Sequence, residues 1–391
     1  MSATARPRWV ILLALSLVAL NLRIALSSVP AVVEQIQAAT GWSDAAIGML
    51  TTIPVLCMGA FALVVPRLSE RIGRARTVSL ALALLTIAVG SRFAAEVPGV
   101  LPASAFLAGV GIALAAGLVP GVVREQVPDA VGMATGLWTA VMMVGAALGG
   151  ALTVPLAAAL DSWPLALACW AIPAAIALAT WAIVERGHDH VRSAAPAVRL
   201  AQLPWRSRPA WSLTAFLTLN SIVFYTSLAW LAPSFVDRGW SQEDAGFLLG
   251  LFTVAQVVAA FVFPPLAERA SARRLVFVAT VAVVLATLLA LAWAPTTLTL
   301  VVVAAFGMSL GAGFAMALAL LSEFASDAAA SARLTAMAFS VTYLIGAWGP
   351  LVAGAVLDRF DSWPLVYVLL GVAALGQLAA IPALRRGVRV D

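Results

Sequence analysis

Residues 161–165 read Asp-Ser-Trp-Pro-Leu, and the same five residues return at 361–365. The two copies stand 200 positions apart in a chain of 391 residues, one in each half. A single match of this length can arise by chance. The remainder of the two halves therefore decides whether the chain is a duplication.

Further matches keep an offset close to 200 residues and stay in the same order. They pair Leu20-Asn21 with Leu219-Asn220, Gly41-Trp42-Ser43 with Gly239-Trp240-Ser241, Glu70-Arg71 with Glu268-Arg269, and Gly111 and Gly149 with Gly311 and Gly349. An ordered series that covers each half predicts an internal repeat.

The composition places this repeat in a membrane. Hydrophobic residues make up 63% of the chain and charged residues only 10%, and the mean hydropathy is +1.02. A soluble domain carries about a quarter charged residues, and it has no means of hiding so much apolar surface. Lipid can face apolar side chains directly. A soluble enzyme is therefore excluded, and an integral membrane protein is predicted.

Apolar runs of about 20 residues predict spanning helices, and this chain holds twelve such runs, six in each half. Six is an even number, so both halves insert in the same orientation and form a parallel repeat, with the solute pathway at their interface. The predicted fold class is all-α integral membrane, with twelve transmembrane helices as two parallel six-helix bundles. The predicted spans are 9–35, 44–65, 77–94, 99–123, 131–158, 162–184, 210–235, 243–265, 275–294, 298–322, 333–357 and 363–384.

One long polar segment, residues 185–209, separates the two halves. It is charged, rich in proline and alanine, and lacks an apolar run of spanning length, so it is predicted to be a linker. The predicted domains are an N-terminal six-helix bundle, residues 1–184, this linker, and a C-terminal six-helix bundle, residues 210–391.

All 23 basic residues are arginines, and their distribution predicts the orientation. With the N-terminus in the cytoplasm, the opposite loops hold only Arg238 and Arg359, with Arg92 near that edge. Such a bias predicts a multi-pass protein of the plasma (inner) membrane whose termini and linker are all cytoplasmic. It also explains the net charge of +5 without a nucleic-acid partner.

No cluster of cofactor or metal ligands stands out. Cys57 and Cys169 lie in apolar runs, and His188 and His190 flank Asp189 in the linker. Two ligands on a loop make a poor metal site. We expect no metal, no cofactor and no enzymatic activity. A membrane-embedded enzyme is the less favoured alternative, and a channel is disfavoured by the duplication.

Residues 66–76 read Pro-Arg-Leu-Ser-Glu-Arg-Ile-Gly-Arg-Ala-Arg. This segment resembles the signature of the major facilitator superfamily between its second and third helices, Gly-x-Leu-Ala-Asp-Arg-x-Gly-Arg-Arg. Pro66 replaces the first glycine and Glu70 the aspartate, and residues 265–274 form a weaker second copy. The resemblance implies the major facilitator fold and a secondary transporter that works by alternating access.

Other segments are similar to the cyanate and 2-nitroimidazole (CynX/NimT-like) branch of that superfamily. Asn21-Leu22-Arg23 resembles the branch's Asn-Leu-Arg-Pro, with Ile24 in place of proline. Residues 50–57, 132–139, 224–225 and 228–231 are similar too. The branch implies transport of a small anion such as cyanate, or of a small polar neutral solute such as a nitroimidazole. A drug or metabolite efflux antiporter is the alternative.

Arg23 is the sharpest candidate for a solute-binding residue. It stands about mid-way through the first predicted span, where a charge costs several kcal/mol unless it is compensated. No acidic residue lies at matching depth in any predicted span. Arg23 is predicted to attract an anion or a polarised oxygen; pairing with a distant acid or with helix carbonyls is the alternative. Arg23 is the one charged residue that the sequence predicts to be buried in the membrane.

Other polar and aromatic residues at similar depth are candidates for lining the same cavity. The alternatives are hydrogen bonding between helices for the polar residues and plain packing for the apolar ones. Trp138 and Met142 share one face of the fifth helix. The candidates are Asn220, Tyr225, Gln256, Tyr343, Trp138 and Met142.

A second set of residues is predicted to control access. Glu70, Arg71, Gly73 and Arg74 form the predicted turn after the second span, where Gly73 permits a tight backbone. The resemblance implies a gating latch here, whereas the spacing alone indicates a charged turn. The same network is predicted to include Arg124, Glu268, Arg269 and Glu323, with Glu125, Asp327 and Arg333 nearby; ordinary solvated charges are the alternative.

The driving force stays open at this stage. Acidic residues are missing at mid-membrane depth, so a proton relay through an embedded carboxylate is not visible. Uniport, anion exchange and coupling through an edge acid such as Glu34 remain. Gly136, Gly145 and Gly149 have an antiporter-like spacing, but Gly150 stands where proline is expected. The expected partners are a small solute, the bilayer and a coupling proton or counter-anion, and the expected state is a monomer.

Overall fold

The computed structural model describes residues 8–62, 64–127, 130–185, 202–269, 273–293, 296–385 and 387–390. Within these ranges, twelve helical segments are long and apolar enough to cross a membrane. The described residues otherwise form short helical segments, turns and one isolated β-bridge, between Ala325 and Val390. The all-helical fold class and the twelve spans predicted from the sequence are confirmed.

The spans are numbered here in chain order. Their helices are span 1, Arg8–Ser27 and Val33–Thr40; span 2, Asp44–Phe61; span 3, Arg74–Gly90; span 4, Val100–Gln126; span 5, Val131–Leu160; span 6, Trp163–Cys169 and Ala171–Glu185; span 7, Arg208–Val236; span 8, Gln242–Arg269; span 9, Arg273–Trp293; span 10, Thr299–Glu323; span 11, Ala328–Gly346 and Trp348–Phe360; span 12, Trp363–Ala380. The face where span 1 begins and span 12 ends is named the terminal face, and the other is named the opposite face.

The repeated motif builds the same turn in both halves. Asp161 and Asp361 end their helices in the left-handed region, with φ of 48° and 45°, a conformation that aspartate tolerates. Ser162 and Ser362 then cap the next helix, because their hydroxyls accept hydrogen bonds from Leu165 and Leu365 N–H groups at 3.4 Å each. The duplication therefore reaches the level of backbone geometry.

The predicted turn between spans 2 and 3 is mostly helical, which corrects the sequence interpretation. Val65–Ile72 forms a short helix that carries Glu70 and Arg71. Pro66 stands in its first turn, where the missing N–H has no partner to lose. Gly73 alone makes the turn, with φ of +90°, and Arg74 opens span 3.

Three spans are interrupted where the sequence predicted one continuous helix. Span 6 breaks at Trp170, between Cys169 and Ala171. Span 1 turns through a 3-10 segment, Pro30–Val32, and continues to Thr40. In span 11, Pro350 has no N–H to donate to the carbonyl of Gly346, so one helix ends at Gly346 and another begins at Trp348.

The two bundles meet along span 2 with span 11 and span 5 with span 8. Small residues permit this approach. A Cβ atom on Gly48 would lie 2.5 Å from the Pro350 carbonyl oxygen, and one on Gly246 would lie 2.7 Å from the Gly150 carbonyl oxygen. Larger side chains at Gly48 or Gly246 would separate the bundles.

Candidate functional site

Arg23 lies in span 1 where that span faces the C-terminal bundle. Its guanidinium carbon is 5.3 Å from the Phe224 ring centroid and 5.9 Å from the Tyr225 ring centroid, both in span 7. The side chain is half-buried. Its Nη1 atom is buried without a hydrogen-bond partner among the described residues. An arginine stays protonated in proteins, so this is a charged group with an unused donor.

Aromatic rings from three spans of the C-terminal bundle form a cluster that reaches this arginine through Phe224 and Tyr225. Tyr225 meets Tyr343 of span 11 at 6.3 Å between ring centroids, with an interplanar angle of 71°. Tyr343 stacks on Phe339 at 5.5 Å and 20°. Phe224 stacks on Phe252 of span 8 at 6.2 Å and 19°. A cation over such faces gains about 0.5–2 kcal/mol, less than the several kcal/mol that burying a charge costs.

The polar neighbours of Arg23 along span 1 are engaged elsewhere. Asn21 Nδ2 donates to the Leu17 carbonyl at 2.8 Å and to the Pro173 carbonyl of span 6 at 3.1 Å. Ser27 Oγ donates to the main-chain carbonyl of Arg23 at 3.0 Å, so this bond does not involve the Arg23 guanidinium. One ion pair among the described residues joins Arg273 and Glu323. None of these described contacts engages the Arg23 Nη1 atom.

Three of the predicted solute-binding residues come together: Arg23, Tyr225 and Tyr343. Asn220 instead turns towards span 10, where its Nδ2 donates to the Leu310 carbonyl at 3.4 Å. This bond matches the alternative of hydrogen bonding between helices. Gln256 Nε2 donates to the Phe252 carbonyl of its own helix at 3.3 Å.

Trp138 and Met142 of span 5 are both half-buried. Trp138 packs against the buried apolar core. Their predicted role as an apolar wall stays a prediction.

The sequence interpretation did not name three phenylalanines of this aromatic cluster as site candidates: Phe224, Phe252 and Phe339. In an apolar span they are indistinguishable from packing residues by composition alone. One signal was available, because Phe339 stands four residues before Tyr343, and such residues share a helix face. The contact between Phe224 and Arg23 joins two bundles, and no local pattern predicts it.

Arg92 corrects the expectation that Arg23 is the one buried charge. Arg92 is only 2% exposed. Its Nε donates to Ser104 Oγ at 2.8 Å, its Nη1 to Ser28 Oγ at 3.2 Å and its Nη2 to the Ala25 carbonyl at 3.0 Å. The 3-10 turn Ser91–Ala94 points the side chain inward rather than towards the membrane edge. Arg23 is less buried than Arg92, so burial does not distinguish it; its buried Nη1 atom without a described partner does.

The predicted gating residues fall in several places. Glu323 is paired with Arg273, a partner the sequence interpretation did not name, through two contacts of 2.8 Å. Glu70 and Arg71 are exposed on the short helix, and Arg74 is half-buried. The side chains of Arg124, Glu268 and Arg269 lie outside the described residues.

A cavity of about 450 Å³ lies within the C-terminal bundle near the Arg273–Glu323 pair. Spans 8, 9 and 10 line it, through Pro264, Phe277 and Met316 among others. Its two charges neutralise each other, and none of its lining residues belongs to the Arg23 cluster. We do not assign the solute site to this cavity.

Hydrogen bonds join the two bundles at the opposite face. The Asp358 carboxylate of span 11 accepts from the Asp44 and Ala45 N–H groups at 2.7 and 2.9 Å, and so caps span 2. Gln242 Nε2 donates to Glu34 Oε2 at 2.6 Å, and Gln35 Nε2 donates to Gln242 Oε1 at 3.0 Å. The described contacts therefore hold the bundles together at this face.

Comparison with known proteins gives the same architecture. The family model of the Major Facilitator Superfamily matches residues 11–238 and 219–387. The crystal structure of the nucleoside transporter NupG superposes with a TM-score of 0.78 at 12% identity, over 96% of this chain and all (100%) of that chain. The D-xylose-proton symporter superposes with a TM-score of 0.73 at 16% identity, over 96% of this chain and 98% of that one.

Curated sequences are similar over nearly the whole chain. The 2-nitroimidazole transporter of Escherichia coli (strain K12) is 32% identical over 391 residues, covering 99% of this chain and 97% of that protein. The cyanate transport protein CynX of the same strain is 31% identical, covering 93% and 94%. The uncharacterized transporter YycB of Bacillus subtilis (strain 168) is 32% identical, covering 92% and 89%.

Proposed function

The chain belongs to the major facilitator superfamily, a family of transporters and not of enzymes, and we propose that it carries a small anion across the inner membrane by alternating access. The observation that carries this proposal is the unpartnered Nη1 of Arg23. A fixed donor on a permanent cation binds a small anion, or the acceptor oxygen of a polar neutral solute.

The names of the two Escherichia coli relatives support this substrate class. One is a cyanate transport protein and the other a 2-nitroimidazole transporter. Cyanate is a small anion, and a nitroimidazole is a flat ring whose nitro oxygens accept hydrogen bonds. An arginine fork next to the rings of Tyr225 and Tyr343 suits both, because it offers a charged donor and a stacking surface.

We propose that the N-terminal bundle, residues 1–184, and the C-terminal bundle, residues 210–391, rock about this site as a monomer, with residues 185–209 as a cytoplasmic linker. The arginine distribution supports a cytoplasmic terminal face. The Asp358 cap and the Gln242 bonds support a state sealed at the opposite face. Entry would then take place from the terminal face.

We propose that the terminal face closes through a latch at the short helix and Gly73, assisted by Glu323 with Arg273. Gly73 has φ of +90°, so a side chain there strains the turn. Arg124, Glu268 and Arg269 stay part of this proposal as residues of the same face.

The test is uptake of labelled cyanate and of labelled 2-nitroimidazole by proteoliposomes that hold wild type or Arg23→Ala. We expect saturable uptake that the substitution abolishes while the amount of inserted protein stays the same. Arg359→Ala is the matched control, because Arg359 is exposed at the opposite face. Unchanged uptake by Arg23→Ala would remove Arg23 from the pathway.

Efflux by antiport is the second candidate. It is favoured by the tight contact of spans 1 and 5, where a Cβ atom on Gly145 or Gly149 would collide with the Leu20 carbonyl or with Ser27 Oγ. Close packing of this kind also occurs without antiport. Proteoliposomes preloaded with either solute distinguish the direction.

A further inference from the structure

We infer that this transporter is an anion exchanger. The bundles rock readily, and expose the site to the other side of the membrane, only while an anion occupies Arg23. The empty transporter therefore changes its exposure slowly. This inference rests on the proposed function and adds its mode of transport. It is carried by the charge balance of the site rather than by the identity of the solute.

The empty site carries an uncompensated positive charge. Arg23 donates no hydrogen bond from Nη1 to any described residue, and its ring neighbours Phe224 and Tyr225 bring no negative charge. Arg92 and Arg273, which are buried among the described residues, have partners: Arg92 donates three hydrogen bonds and Arg273 pairs with Glu323. Only at Arg23, among these three, does the protein leave the charge to a ligand.

Rocking of the bundles weakens what little compensation Arg23 has. Arg23 is bound to the N-terminal bundle, because span 1 packs closely on span 5 at Gly145 and Gly149. The rings of Phe224, Tyr225 and Tyr343 belong to the C-terminal bundle. Movement of one bundle past the other therefore separates the cation from its rings at the midpoint, where water is excluded. A bound anion moves with Arg23 and neutralises it throughout.

The consequence is a difference between two rates. With an anion bound, Arg23 and the anion together carry no net charge while the bundles rock. Without an anion, the bundles must rock with the positive charge of Arg23 in a water-poor, apolar environment, which is unfavourable. Exchange of one anion for another uses the neutral step in both directions. Net transport needs the charged empty step, so it is slow and depends on membrane potential.

The experiment compares these two modes in proteoliposomes containing the full chain, with labelled cyanate outside. Vesicles hold either unlabelled cyanate or a bulky impermeant anion such as gluconate. We expect uptake into cyanate-loaded vesicles to be at least tenfold faster than into gluconate-loaded vesicles. A potassium diffusion potential should change the slow net rate and leave the exchange rate unchanged.

Two variants sharpen the test. Arg359→Gln removes a charge from the exposed opposite face and should keep the wild-type ratio of exchange to net uptake. Arg23→Gln removes the charge of the site, so the empty site no longer carries an uncompensated charge, and any flux that survives should show a ratio of exchange to net uptake near one.

Equal exchange and net rates in wild type would overturn the inference while leaving the transport of cyanate established. Absence of cyanate flux in both modes would instead refute cyanate as a substrate, and the inference would be rejected with it for this solute. Failure of the transport mode and failure of the proposed substrate thus give different results.

Discussion

Arg23 and Arg92 are two arginines of the same bundle in opposite circumstances: Arg92 is buried, whereas Arg23 is half-buried with its Nη1 atom fully buried. Arg92 directs three of its N–H groups at Ser104, Ser28 and the Ala25 carbonyl. Arg23 has a buried Nη1 with no described partner and lies against rings of the other bundle. Hydrogen bonds to a charged group contribute about 1.5–3 kcal/mol each, whereas a cation–π contact contributes about 0.5–2 kcal/mol.

The difference separates a structural charge from a functional one. Arg92 ties the end of span 3 to spans 1 and 4, so its charge stabilises one bundle. Arg23 stabilises nothing of comparable strength, and it stands where the bundles move against each other. A buried charge that the fold leaves uncompensated is a candidate for ligand binding, and this criterion identifies Arg23 where burial alone does not.

The same substitution at both arginines gives the largest expected effects. Arg23→Gln should lower the rate of anion uptake at least 100-fold, because the cation that attracts the anion is gone. The melting temperature of the purified protein should stay the same or rise, since an uncompensated charge has been removed. Uptake assays and thermal unfolding in detergent measure the two quantities. A large loss of stability would make Arg23 a structural residue.

Arg92→Gln should behave in the reverse way. It removes at least two hydrogen bonds between spans, each worth about 1–2 kcal/mol inside a membrane, so we expect the free energy of unfolding to fall by about 2–4 kcal/mol. The KM of the protein that remains folded should stay within about twofold of wild type. A KM change as large as that of Arg23→Gln would remove the distinction between the two sites.

The rings around Arg23 should have an intermediate effect. Phe224→Leu removes one aromatic face and about 1 kcal/mol of cation–π energy, which corresponds to a rise of about fivefold in KM. Phe252→Leu is the matched control, because Phe252 stacks on Phe224 and makes no described contact with Arg23. Equal changes in KM for both variants would indicate packing rather than orientation of the guanidinium.

Alanine substitutions of the serines next to the two arginines should have the smallest effects on the free energy of unfolding. The substitution next to Arg92 should again destabilise the protein more than the one next to Arg23. Ser104→Ala leaves Nε of Arg92 without its partner and should cost about 1.5 kcal/mol of unfolding free energy. Ser27→Ala loses only a bond to a helix carbonyl, which already has a backbone partner, and should cost less than about 0.5 kcal/mol. Chemical denaturation compares them, and the reverse order would contradict the assignment of the two charges.

Features that depend on local pattern were predictable from the sequence. The apolar runs predicted the twelve spans, and the Asp-Ser-Trp-Pro-Leu repeat predicted a duplication that reappears as matching turns at Asp161 and Asp361. The charge of Arg23 at mid-membrane depth is evident from the apolar run that surrounds it. Each of these signals needs only the residues of one segment.

Features that depend on distant segments were not predictable. The inward direction of Arg92 needs Ser28 and Ser104 from two other spans. The partner of Glu323 comes from the start of span 9. The Asp358 cap on span 2 crosses from one bundle to the other, and position 158, the repeat equivalent of Asp358, holds alanine. The duplication therefore gives no guide to these contacts.

Equilibrium binding tests most directly whether Arg23 is the uncompensated charge that receives the solute. Labelled cyanate is titrated into purified wild type, Arg23→Gln and Arg92→Gln in a scintillation proximity assay, at a temperature where all three are folded. Wild type and Arg92→Gln should bind cyanate with equal affinity, and Arg23→Gln should show no saturable binding. Wild-type affinity in Arg23→Gln, or its loss in folded Arg92→Gln, would contradict the account.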